Sequence, residues 1–256
     1  RLPPTRDTQA HYGEFPWMVA VLRETTDDNP QKSHVYQCGG SLITASVVLT
    51  AAHCVTNKNH FKIRAGEWDT QTNKELYPYQ EREVETIIVH PQYYPKTLHN
   101  DIALLFLKTP VEIAENVNVV CLPPQGGTVD HARCYSSGWG KDVFDKDDRY
   151  QVILHKIDLP VVPRDTCQES LRKTRLGKDF DLHESFICAG EADKDTCRGD
   201  GGGPLACPIP GQKNRYQQSG ILAWGIGCVD TPHVFVNVAL FRNWIDEQIK
   251  TKGIET

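Results

Sequence analysis

Nine cysteines in a chain of 256 residues constrain the fold more than any other feature. Their spacing fits neither a zinc ribbon nor a redox Cys-x-x-Cys pair. They read instead as disulfide partners, and disulfides persist in oxidising, extracytoplasmic compartments. Because nine is odd, either one thiol stays free or one cysteine bonds to a segment outside this chain. Hydrophobic residues make up 39% of the sequence, enough to bury a large core, so the cysteines staple one or two compact lobes and do not stand in for a core. No window approaches eighteen uninterrupted apolar residues, and Arg1 to Thr8 lacks the apolar stretch of a signal peptide. The expectation is a soluble form, mature or trimmed.

A formal net charge of -5 argues against nucleic acid or an anionic membrane as the main partner, since both reward clustered positive charge. One local run, Arg172, Lys173, Arg175 and Lys178, is basic, and its ordinary reading is a solvated surface loop.

Short runs rich in Val, Ile, Leu and aromatics recur at Trp17 to Leu22, Val35 to Ile43, Val47 to Thr50, Ile87 to Val89, Ile102 to Leu107, Val152 to Ile157, Ile221 to Trp224 and Val234 to Val238. Gly, Pro, Asn and Asp punctuate them, a pattern of antiparallel barrels or sandwiches. Two helices stand out. Around Val238 to Lys250, the residues Phe241, Trp244, Ile245 and Ile249 share one stripe at helical spacing. A shorter helix is expected near Asp165, with Asp165 as its cap and Gln168 completing a capping box. The run from Cys121 through Pro123 and Pro124 to Gly127 reads as a connector between two halves.

Three segments carry chemistry when read together: Thr50-Ala51-Ala52-His53-Cys54, then Asn100-Asp101-Ile102-Ala103, then Asp195-Thr196-Cys197-Arg198-Gly199-Asp200-Gly201-Gly202-Gly203-Pro204. Each alone has a plainer explanation, a packed histidine, a turn aspartate and a glycine-rich turn. Their order along the chain resembles that of the trypsin/chymotrypsin family, and the resemblance runs from Gly13-Glu14-Phe15-Pro16-Trp17 to Trp244-Ile245. It implies an all-β fold of two packed six-stranded antiparallel barrels with a C-terminal α-helix. The implied divisions are an activation-region remnant over 1–12, an N-terminal barrel over 13–118, a connector over 119–130, a C-terminal barrel over 131–238 and a helix with tail over 239–256.

In that family His53 would be the general base and Asp101 the carboxylate that fixes its tautomer, with the backbone N-H groups of Gly199 and of the nucleophile residue forming an oxyanion hole. Active members read Gly-Asp-Ser-Gly-Gly-Pro at this motif. Here the serine position is Gly201. Deleting a triad nucleophile lowers kcat by about a millionfold, or about 8 kcal/mol of transition-state stabilisation, so the resemblance implies a vestigial site and no serine protease activity.

Further departures point the same way. Active members start, after zymogen cleavage, with an Ile-Val-Gly-Gly-like terminus whose ammonium pairs with the aspartate matching Asp200. This register holds Pro4-Thr5-Arg6-Asp7, so Asp200 is expected to find another partner. Ala223 stands where a serine commonly supports the triad aspartate. Asp195, Trp224 and Gly225 match the primary specificity pocket. His233 follows Pro232 where a glycine usually keeps that pocket open, so His233 either fills it and pairs with Asp195 or points outward.

The resemblance also pairs Cys38 with Cys54, Cys134 with Cys207, Cys167 with Cys188 and Cys197 with Cys228, leaving Cys121 for a disulfide to an N-terminal segment of a longer precursor. Within the family the chain looks like the arthropod clip-domain serine protease homologues, including prophenoloxidase-activating cofactors, through Gly13 to Leu22, Gly66 to Thr72, Asn118 to Pro124 and Gly138 to Phe144. That implies a secreted protein of the haemolymph that works through its surfaces in an extracellular protease cascade, as a scaffold or cofactor that oligomerises after cleavage of its precursor. Its expected partners are other cascade proteins, prophenoloxidase among them, and a clip segment linked through Cys121. No cofactor is required, although Glu67, Asp69 and Glu75 lie where some family members bind calcium; the ordinary reading of these residues is an acidic loop. Two rivals stay open: a working trypsin-like protease inactivated by an engineered serine-to-glycine change, and a decoy that binds substrates or inhibitors in the old cleft.

Overall fold

The computed structural model describes residues 8–25, 34–57, 59–70, 75–140, 153–191, 200–227 and 230–254. Six strands close the first barrel: β1 (Met18–Glu24), β2 (His34–Thr44), β3 (Val47–Thr50), β4 (Phe61–Ala65), β5 (Gln80–Val89) and β6 (Ala103–Leu107), in the order β1-β2-β3-β6-β5-β4. Six more close the second: β7 (Arg133–Gly138), β8 (His155–Val162), β9 (Phe186–Ala189), β10 (Pro204–Pro208), β11 (Tyr216–Trp224) and β12 (His233–Asn237), in the order β10-β11-β12-β9-β8-β7. Closure leaves neither sheet with an open edge.

Four of these strands, β4, β7, β9 and β10, are absent from the sequence expectation. The residues of β4 alternate buried and half-buried with a period of two, Phe61, Ile63 and Ala65 inward, but Lys62 and Arg64 between them keep the run from reading as apolar. β10 begins at Pro204 and ends at Pro208, and at these ends a missing N-H interrupts no ladder. The strand expected to stop at Ile157 continues to Val162 through Pro160, whose carbonyl accepts the N-H of Gly190 at 3.0 Å.

A bulge between Val21 and Leu22 shifts the β1–β2 register, so Cys38 faces Val21 while Tyr36 faces Leu22. The segment ahead of β1 stitches the barrels together. Phe15 packs on Trp17 and on Tyr135, each with ring centroids 5.9 Å apart, Trp17 meets Tyr216, and Glu14 pairs with Lys156 at 2.6 Å. Ser41 donates to the buried Gln218 across the same seam.

The first helix, α1 (Arg164–Arg172), corrects the expected capping box. Pro163 occupies the N-cap and no side chain caps it; Asp165 lies in the first turn, and Gln168 Oε1 accepts the N-H of Leu182 at 2.8 Å. Proline before the helix fixes its own φ near the extended entry angle, so no polar cap is needed there to start the turn. The basic run after it is exposed at Lys173, Arg175 and Lys178, while Arg172 pairs with Glu169 and Asp181. At the C-terminus a 3-10 turn (Val238–Leu240) leads through the buried Phe241 into α2 (Arg242–Thr251), which buries Ile245 and Ile249. His90 packs against Phe241 and Trp244, seating α2 on the first barrel, and Arg242 Nη1 holds the connector by the carbonyls of Leu122 and Pro123. No helix among the described residues is long and apolar enough to cross a membrane.

Candidate functional site

His53 lies on a single 3-10 turn (Ala52–Cys54) after β3, and the Cys38–Cys54 disulfide anchors that turn to β2. Asp101 stands just ahead of β6 and is fully buried. Its Oδ1 accepts the backbone N-H of His53 at 2.8 Å, and its Oδ2 lies 2.6 Å from Nδ1 of the imidazole. Two contacts from one carboxylate fix both the turn and the ring, place the ring proton on Nδ1 and turn Nε2 toward the cleft. The loop before Asp101 is held across the seam, where the Asn100 N-H donates to Ser185 Oγ at 3.1 Å; Asn100 takes a φ of 54°, a conformation asparagine tolerates better than most residues.

The structure brings Gly201 to this pair. A β-carbon at position 201 would sit 3.5 Å from His53 Nε2, which is where a serine would present its hydroxyl, and glycine leaves no atom there. The turn itself is fixed independently of that atom: Gly201 O accepts the N-H of Gly39 at 2.9 Å, and the N-H of Gly202 donates to Leu222 O at 2.8 Å. Gly199, the other half of the expected oxyanion hole, lies outside the described residues, as do Asp195 and the Cys197–Cys228 pair.

Asp200, buried beside Gly201, has three donors. The hydroxyl of Tyr36 and the N-H of Trp139 donate to Oδ2, the latter at 2.8 Å, and the N-H of Gly140 donates to Oδ1 at 2.7 Å. Burial pushes the carboxyl up to about 6, against the lowering effect of these donors, and pushes the Tyr36 hydroxyl well above its ordinary value with the Asp200 charge adding to it. Position 138 must be glycine, because a β-carbon there would lie 2.5 Å from Asp200 Cγ. Tyr36 was missed in the sequence. It stands 164 positions from its partner, and nothing local to it marks the pairing.

His233 turns inward and is 6% exposed. Its ring lies so close over the backbone of Gly225 that a β-carbon at 225 would come within 2.5 Å of His233 Cδ2, and its Nε2 is 3.1 Å from the carbonyl oxygen of Gly227. Trp224 flanks it at the end of β11, and Ala223, buried in the same strand, has no hydroxyl to offer Asp101.

Three of the disulfides implied by the resemblance are formed: Cys38–Cys54, Cys134–Cys207 and Cys167–Cys188. Cys121 is half-buried and has no disulfide partner among the described residues; its sulfur lies 3.5 Å from Arg215 Nη2. Two of the three carboxylates weighed for calcium, Glu67 and Glu75, already accept hydrogen bonds. Glu67 pairs with Arg64 at 3.0 Å and accepts the Trp68 N-H, while Glu75 accepts the Asp69 N-H at 2.7 Å. Residues 71–74 of this loop lie outside the described residues.

Two six-stranded barrels joined at a cleft, with a histidine held by a buried aspartate and facing a glycine turn, define the scaffold of a chymotrypsin-like serine protease without its attacking oxygen. The chain belongs to the trypsin family: the family model described as Trypsin matches residues 5–245. It is 56% identical to a protein of Galleria mellonella named phenoloxidase-activating factor 2, over all of this chain and 87% of that protein. It is 40% identical to inactive CLIP domain-containing serine protease A8 of Anopheles gambiae, over 95% of this chain and 67% of that one. Inactive CLIP domain-containing serine protease A28 of the same mosquito is 39% identical over 97% of this chain and 65% of its own length.

Proposed function

We propose that this chain is a catalytically inactive trypsin-family member that acts as a cofactor in an extracellular proteolytic cascade, the activation of prophenoloxidase. The observation that carries the reading is the geometry at Gly201, where the His53–Asp101 pair is intact and nothing stands to be activated by it. Relatives named as a phenoloxidase-activating factor and as inactive CLIP-domain proteases support the same role. The disulfides suit an oxidising, extracellular setting. Cys121 is the natural attachment for an N-terminal segment, and prophenoloxidase or other cascade proteins are the partners of the assembled, oligomeric protein.

His233 weighs against both rivals. A decoy that captures substrates through the old specificity pocket needs that pocket open, and the imidazole packed over Gly225 stands in its way. An engineered inactivation would leave position 233 untouched. The test is reconstitution: prophenoloxidase and its activating protease are mixed with and without this protein, and phenoloxidase activity is read. The expected result is stimulation that survives His53→Ala, because the imidazole has no catalytic part to play. Stimulation abolished by His53→Ala, with the fold intact, would instead make the protein an enzyme.

A further inference from the structure

Two histidines meet face to face where the barrels join. His99 lies in the loop between β5 and β6, and His183 in the segment between α1 and β9. Their rings stack with centroids 3.8 Å apart and planes 10° from parallel, and both meet Phe186 edge to face, at 6.1 and 6.3 Å. Both residues are half-buried.

Ser185 ties this stack to the loop that carries Asp101. It is fully buried, its carbonyl accepts the Asn237 N-H at 2.8 Å, and its Oγ accepts the Asn100 N-H at 3.1 Å. The serine hydroxyl proton is left to His183 Nδ1, 2.8 Å away, which also receives the Ser185 N-H at 3.2 Å. Nδ1 is therefore an acceptor, and the proton of the neutral ring sits on Nε2. A proton added at Nδ1 would turn that acceptor into a donor and strand the N-H and the hydroxyl proton of a buried serine.

The surroundings give a charged stack little relief. On the His183 side, Arg164 donates to the carbonyls of Leu182 and Phe186, a fixed cation, while Asp181 pairs with Arg172 and Glu184 is exposed. On the His99 side, Lys96 is exposed, the Asp101 carboxylate is taken up by His53, and burial with the Asp101 charge raises the Tyr93 hydroxyl. Burial and the His183 ring push His99 below its ordinary value. Its contribution to stability is thus fully present above its unfolded value of 6.5 and is lost as pH falls through the lower folded value.

We infer that the His99–His183 stack is an acid-released latch between the two barrels. It holds while at least one ring is neutral; two protonated rings at this separation repel and push the Asn100–Asp101 loop away from Ser185. The device goes beyond the cofactor role and does not depend on it.

Amide hydrogen exchange at Asn100, followed by NMR and corrected for the intrinsic effect of pH on exchange, tests the latch. Its protection is expected to fall about tenfold or more between about pH 7.5 and about pH 5. The Val120 amide, bonded to Leu42 O of β2 at 3.0 Å, is expected to keep its protection over the same range. His99→Phe leaves a flat ring on the stack without a charge and is expected to remove the pH effect. His183→Phe is expected to move the His99 Hε1 titration up toward the ordinary imidazole range, because the neighbouring ring no longer charges. Asn100 protection equal at both pH values, or a parallel fall at Val120, would overturn the latch. So would a fall that persists in folded His99→Phe, or a His99 titration unmoved in folded His183→Phe.

Discussion

The hydroxyl of Tyr36 in the first barrel donates to the buried carboxylate of Asp200 in the second, 164 positions away, and so ties strand β2 to the turn that carries Gly201. With the N-H groups of Trp139 and Gly140 it completes a set of donors that holds Asp200 inside the protein without a cation among them. Asp200 is raised to about 6 by burial, so the charged form at neutral pH depends on each of the three bonds.

Tyr36→Phe is therefore expected to destabilise the fold by about 2 kcal/mol, the scale of a hydrogen bond to a charged group. Its pH dependence has a definite sign. A folded-state pKa raised to about 6 means that the stability contribution of Asp200 is fully present below its unfolded value near 3.8 and is lost as pH rises through about 6. Removing a donor to the charged form raises that pKa further. The loss in Tyr36→Phe, read from urea unfolding, is expected to be larger at about pH 8 than at about pH 5. An equal loss at both would mean that the hydroxyl does not serve the carboxylate.

Neighbouring glycines in the vestigial turn differ in what they tolerate. A β-carbon at Gly201 meets nothing nearer than His53 Nε2 at 3.5 Å, so Gly201→Ala is expected to change stability by less than about 1 kcal/mol. At Gly202 the φ is +77° and a β-carbon would lie 2.5 Å from the Thr50 side-chain Oγ1 and 2.7 Å from the backbone O of Gly39, which cannot give way. Gly202→Ala is expected to lose about 3 kcal/mol or more, read as a fall in Tm or a failure to fold.

Removing the imidazole at position 233 should reopen the space over Gly225. His233→Gly is expected to bind benzamidine about tenfold or more tightly than the native chain does by calorimetry, since the Gly225 backbone then becomes accessible to a flat cation. Unchanged affinity in a variant with a native-like melt would show that something other than His233 closes this region.

How far the sequence announces all this depends on the range of each interaction. The barrels were legible because strands such as Val47–Thr50 and Ala103–Leu107 are apolar runs bounded by turn residues, and His53, Asp101 and Gly201 because their three segments, each ambiguous alone, follow one another in a specific order along the chain. The strand Phe61–Ala65 was not legible, since its half-buried positions carry charged residues that pair with Glu81 on the neighbouring strand. The cap at Asp165 was misread because proline and tertiary packing set that helix start, and Gln168 was drawn off to Leu182. Whether His233 pointed inward was open from sequence alone; its place over Gly225 is set by the pairing of β12 with β9 and β11. Tyr36 was invisible, because its importance lies wholly in a contact with a residue in the other barrel.

The most direct measurement is hydrolysis of an arginyl chromogenic substrate by the Gly201→Ser variant. The serine oxygen would be restored within reach of His53 Nε2, but His233 would still lie over Gly225 and Asp200 would still be held by Tyr36. The expected result is no turnover above background. Turnover of about 1 per second from this single change would contradict the account, for it would mean that the cleft is a poised protease missing one atom.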